Sequence, residues 1–145
     1  MVRKGRITQR FGRSLEGYSK KVEHKAEGRA KHYLDLNRRY LKEGEGFLAE
    51  GDSAQASEKL WGASAEIVKA VAAQMGLELK THADLWGFTT KLSSELGDPE
   101  ILRLFATANY LHQNFYENVM TLEAVSASAV AVKQFIEKVE KKLLT

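Results

Sequence analysis

In the stretch RLFATANYLHQNFYENVM, residues 103–120, Asn109, His112 and Tyr116 have the types and spacing to act together. Positions i, i+3 and i+7 share one face of a helix. An imidazole placed there titrates near neutrality and can work as an acid or a base, while an amide and a phenol can bond to a base or a ribose. Arg103, at the head of the stretch, is a second candidate catalytic group. Leu104, Ala108, Leu111, Phe115 and Val119 form one apolar stripe, and Ile101, Phe105 and Met120 share a second with the three polar residues. Both stripes read as buried or nearly so, and in a helix covered on two sides each polar group left unpaired costs about 1–3 kcal/mol. Two accounts stay open: a satisfied polar cluster that fixes helix register, or a cleft in which the three side chains contact a ligand.

Other chemistries lack their residues. The chain has no cysteine, so disulfides, thiolate metal sites and cysteine nucleophiles are excluded. No glutamate stands three residues before any of the four histidines, and His-Glu-x-x-His does not occur. Neither a metal nor a cofactor is therefore expected. GEGFLAEG, residues 44–51, has glycines but neither the spacing nor the closing Lys-Ser or Lys-Thr of a phosphate loop. Gly-x-Ser-x-Gly is absent too. In THADLW, residues 81–86, His82 and Asp84 read as helix-capping residues.

Charge supplies a second candidate surface. Residues 1–42 hold 13 Lys and Arg against 4 Asp and Glu, whereas the remainder holds 9 against 15. An overall charge of +3 thus conceals a basic end suited to an anionic partner. Arg3, Lys4, Arg6, Arg10, Arg13, Lys20 and Lys21 are the candidates for contacts with nucleic-acid phosphates. The competing account is a solvated tail followed by an exposed helix face.

These residues must be positioned by helices. Of 145 residues, 43% are hydrophobic and 28% charged, ordinary values for one globular domain. No sustained alternation marks a strand, and the expectation is all-α: an up-and-down bundle of about five main helices plus a weak N-terminal helix. Residues 1–13 read as a flexible basic tail, 14–28 as the weak helix interrupted by Gly17 and Gly28, and 29–145 as the bundle domain. Tyr33/Leu34, Tyr40/Leu41 and Phe47/Leu48 recur every seven residues, two helical turns, and give one apolar face. Gly51 and Asp52 mark a tight turn with a helix cap, Thr81 or His82 opens a shorter helix, Asp98 caps the next with Pro99 in its first turn, and Thr121 caps the last. No run is long and apolar enough to span a membrane, and no apolar segment follows the N-terminal charges, so the expected setting is cytoplasmic, with no membrane partner.

From about Arg29 to Leu143 the chain resembles the archaeal PaREP family of small helical proteins. The likeness is carried by GDSAQASEKLWGASAEIVKA (51–70), THADLW (81–86) and GDPEILRLFATANYLHQNFYE (97–117). That bundle is in turn similar to the HEPN superfamily, which implies a homodimer and, in many members, a metal-independent endoribonuclease with an Arg, four to six residues, then His. His112 matches the histidine of that motif. The arginine would fall at 105–107, where the chain has Phe105, Ala106 and Thr107. Arg103 is nine steps from His112, about 900° of helical rotation, which is half a turn out of phase.

The sequence reading is therefore a HEPN-like, non-catalytic module that binds RNA or nucleotide through the Asn109, His112, Tyr116 face and the basic end. Its rivals are a metal-independent endoribonuclease using His112, with Arg103 supplied by the second subunit, and a scaffold or antitoxin-like partner of another protein.

Overall fold

The computed structural model describes the backbone of residues 16–143 and the side chains of residues 24–143. Five α-helices follow one another: α1 (Glu16–Ala49), α2 (Ser53–Gln74), α3 (His82–Leu96), α4 (Glu100–Glu117) and α5 (Leu122–Glu140). No strand occurs among the described residues, so the all-α bundle read from periodicity is the observed architecture.

Each start and stop has a local cause. Gly51 takes φ 81°, the left-handed geometry that glycine adopts without a Cβ penalty, and turns α1 back on α2. Asp52 Oδ1 then accepts from the N–H of Gln55 at 3.1 Å. At α3, Thr81 and Asp84 exchange side-chain and backbone bonds in a complete capping box. Of the two residues considered for that cap, Thr81 fills it and His82 is the first helical residue. Asp98 Oδ1 accepts from the N–H of Glu100 at 3.1 Å, so it caps α4 although the helix begins one residue past Pro99. Thr121 Oγ1 does the same for Ala124 at 3.0 Å.

The expected break at Gly28 is absent: the helix foreseen over 14–28 and the one foreseen from Arg29 are a single 34-residue α1. One glycine costs about 1 kcal/mol relative to alanine, less than a continuous helix gains from the apolar face that follows it. The tail residues Arg3, Lys4, Arg6, Arg10 and Arg13 lie outside the described residues. Lys20 and Lys21 belong to α1, with side chains outside the described set.

Helix α2 is the centre of the bundle and packs against all four others. Leu60, Ile67, Val68 and Val71 are sealed in the core with Phe105, Leu111, Val125, Val132 and Phe135. Small residues bring α1 close to it: a Cβ built on Gly62 would stand 3.0 Å from the Tyr40 ring. Asn37 is fully buried in that seam and donates to the carbonyl of Ala63 at 2.7 Å. Helix α4 packs on α2, α3 and α5, and α5 packs on α2 and α4, with ion pairs to α1 from Glu140 and Lys133.

Candidate ligand-binding cleft

The opening stretch folds into α4, and the structure separates its four candidate residues. Ile101, Leu104, Phe105, Ala108 and Leu111 are buried as the two stripes require. Beyond them the expected two-sided burial fails. Asn109 and His112 are half-buried, Phe115 likewise, while Tyr116 is 70% and Val119 63% exposed. The cause is the length of α3. It begins at His82, whose ring lies 5.1 Å from that of His112, so the next turn of α4 projects past its cover. Asn109, His112 and Tyr116 therefore form no closed hydrogen-bonded cluster. The contact between His112 and Tyr116 is ring edge against ring face, at 5.5 Å and 87°.

Arg103 is not joined to His112. Both belong to the unbroken α4, half a turn out of phase, and the guanidinium is engaged by Glu100 at 2.8 Å and 2.9 Å in an exposed setting.

What His112 meets is on α2. Its Nδ1 stands 2.9 Å from Oε1 of Glu58, giving an imidazole–carboxylate pair at the edge of solvent, with side chains 27% and 34% exposed. Trp61, one turn along α2, forms a nearly equilateral triangle of rings with the two histidines. Its ring stacks on His82 at 5.4 Å and 24° and meets His112 at 5.5 Å and Phe105 at 5.6 Å. The chain Phe105, Trp61, His82 and His112 thus runs from the core to the surface.

Of these rings Trp61 and His82 line an open cleft of about 450 Å³, which His112 adjoins through Glu58 and Trp61. Tyr40 of α1 and Leu79, Lys80 and Thr81 of the loop before α3 stand over a floor made by Glu58, Gly62 and Glu66 of α2. These three recur every four residues, about 40° apart around the helix, and the glycine between the two glutamates lets the Tyr40 ring come close to the floor. Lys59, Lys69 and Lys80 bring three ammonium groups to it. Lys59 pairs with Glu43 at 2.9 Å and lies 5.0 Å from the centre of the Tyr40 ring. Lys69 stands 3.3 Å from Oε2 of Glu66. The other carboxylate oxygen of Glu66, on a side chain only 10% exposed, has no hydrogen-bond partner.

Sequence reasoning missed Glu66 and also Asn114. Asn114 is fully buried; its amide donates to Ser57 Oγ at 2.9 Å, and its Oδ1 accepts from the N–H groups of Val119 and Met120 at 2.9 Å and 2.8 Å. It is the residue that fixes the register of α4 on α2, the role that had been open to Asn109 and His112. Its signal was present: an asparagine one turn before Asn118, which ends the helix at φ 51°. Among the described residues no cluster of three or more His, Asp or Glu could hold a metal ion, and no helix is long and apolar enough to cross a membrane.

The chain has relatives that share this arrangement of helices. A family model described as the Archaeal PaREP1/PaREP8 family matches residues 32–136, a span that contains every residue of the cleft and its aromatic column. A protein of Sulfolobus solfataricus known from a crystal structure is similar at 26% identity and a TM-score of 0.67, with 74% of this chain and 96% of that one covered. A comparison with curated proteins finds no match.

Proposed function

The chain belongs to the archaeal PaREP1/PaREP8 family, and from that premise we propose that it is a non-catalytic nucleotide- or RNA-binding module of HEPN type, working as a homodimer in the cytoplasm. The observation that carries the reading is the cleft beside α2. It combines ring surfaces, three lysines and an acceptor without a partner in about 450 Å³, within the range of about 300–1,000 Å³ of small-molecule sites. Bases stack on aromatic rings and are read on their edges, while ammonium groups take the phosphates. His112 borders this site through Glu58 and Trp61, and Asn109 and Tyr116 extend it along the same helix. The basic segment from Arg3 to Lys21 adds phosphate contacts along a longer RNA. Binding of a short single-stranded RNA, followed by fluorescence anisotropy, should weaken steeply as salt rises and weaken further when Arg3, Lys4, Arg6, Arg10 and Arg13 are replaced by Gln. Undetectable or salt-insensitive binding sinks the reading.

One contact favours a second reading. Glu58 fixes the Nδ1 side of His112 and leaves Nε2 to exchange a proton, an arrangement suited to metal-independent RNA cleavage. RNA cut in the presence of chelator by the native protein and left intact by His112→Ala would establish it. RNA that stays whole removes it.

A further inference from the structure

Two carboxylates stand on the cleft floor, and Glu66 is the one drawn out of water. Glu58 has Oε1 on His112 at the edge of solvent; Oε2 of Glu66 is on Lys69, and Oε1 of Glu66 is buried without a donor. A buried acceptor in this state is costly; Glu66 lines the cleft, and a rotation of its carboxylate toward the cleft lets a ligand that brings a donor relieve it. Beside it stands the Lys69 ammonium, a donor with three hydrogens and no acceptor. The floor therefore presents a carboxylate that receives and, next to it, an ammonium that gives.

Among the nucleobases, one edge matches that order. Guanine offers two adjacent donors, the N2 amine and N1–H, followed by the O6 acceptor. The two donors meet the carboxylate of Glu66 and O6 meets Lys69. Adenine and cytosine place an unprotonated ring nitrogen beside their single amine, so a lone pair faces the carboxylate. Uracil has one N–H between two carbonyl oxygens, with the same conflict on both sides. A site built to bond a ligand's donors discriminates strongly against an analogue that lacks them, because its own groups are then left unpaired. Lys59, beside Glu43, and Lys80, near Glu78, also line the cleft; their ammonium groups suit a phosphate and carry no base preference.

We propose that the cleft selects guanine nucleotides and that Glu66, with Lys69, is the pair that reads the base; the inference rests on the nucleotide-binding reading above. The test is calorimetric titration of the full-length protein with GMP, IMP, AMP, CMP and UMP. GMP should bind at least tenfold more tightly than AMP, CMP or UMP. IMP, which keeps N1–H and O6 but lacks the N2 amine, should fall between GMP and AMP, a readout that needs no mutant. Glu66→Gln, checked for folding by circular dichroism, should bring GMP to the level of AMP. Lys80→Ala should weaken all the nucleotides by the same factor. Equal binding of the five nucleotides, or unchanged GMP preference in Glu66→Gln, overturns the guanine inference while leaving nucleotide binding intact. Absence of heat with every nucleotide at millimolar concentration overturns the nucleotide-binding reading and this inference with it.

Discussion

Asn114 and Glu66 are both polar side chains drawn away from water, and both involve α2, yet they are finished to different degrees. Asn114 spends its amide on Ser57 and its carbonyl on two backbone N–H groups at the turn into α5. Glu66 has one oxygen on Lys69 and one with no partner. A fully bonded buried group holds a fold together, because removing it strands several others. A half-bonded one adds little to the free protein and stands ready for a ligand. The difference distinguishes these two residues, which polarity and burial alone do not.

The comparison can be broken by mutation. Asn114→Ala should have the largest effect, lowering stability by about 2–3 kcal/mol, since it strands two N–H groups and takes away the donor to Ser57, whose own O–H stays on the carbonyl of Ser53. Urea unfolding should show a lower midpoint with little change in slope; a shift under about 0.5 kcal/mol would contradict the structural role. Glu66→Gln should come next and run the other way in kind: unfolding of the free protein changes by less than about 1 kcal/mol, with any change toward higher stability, because a half-paired charge is removed from the interior. A large loss would make Glu66 architectural like Asn114.

The smallest effect concerns acid. The carboxyl of Asp84 is held below its ordinary value by the N–H groups of Lys80 and Thr81, and that of Asp98 by a hydrogen bond from the Lys138 ammonium at 2.8 Å, then by the N–H of Glu100. Both groups bind protons less readily in the folded chain, so their contribution is complete above the ordinary aspartate value of about 3.9 and is lost as pH falls through it toward the folded value. Thermal unfolding should weaken modestly from pH 5 to pH 3, and the Asp84→Asn/Asp98→Asn double variant should flatten that slope. An unchanged slope would show that these caps do not govern the acid response.

Much of the fold was legible before any coordinates. Gly51, Asp52, Thr81, Asp98 and Thr121 punctuate the chain where the helices turn, because caps and left-handed glycines act through neighbours in sequence. Val125, Ala129, Val132, Ile136 and Val139 repeat at spacings of four and three and are buried accordingly, whereas Leu143, next in the series, lies past the end of α5 and is only partly covered. Gly28 misled, since a single glycine weighs about 1 kcal/mol and the packing around it was invisible. The candidate site was legible only in part. His112 stood out as a histidine on an apolar helix, but Tyr116 was assigned to a covered face that α3 is too short to cover. Glu66 passed unnoticed among the alanines of α2, although Glu58, Gly62 and Glu66 at four-residue intervals contain the pattern of the cleft floor.

The sequence alone determined which segments are helical, where they end and which stripes are apolar, because those properties depend on residues within a few positions of one another. Tertiary structure decided what each polar side chain meets. His112 joins Glu58 across 54 positions, and Asn114 joins Ser57 across 57. Only the packing of α4 on α2 brings those groups together. The same packing, with α3 beginning no earlier than His82, leaves one carboxylate oxygen of Glu66 beside an open cleft.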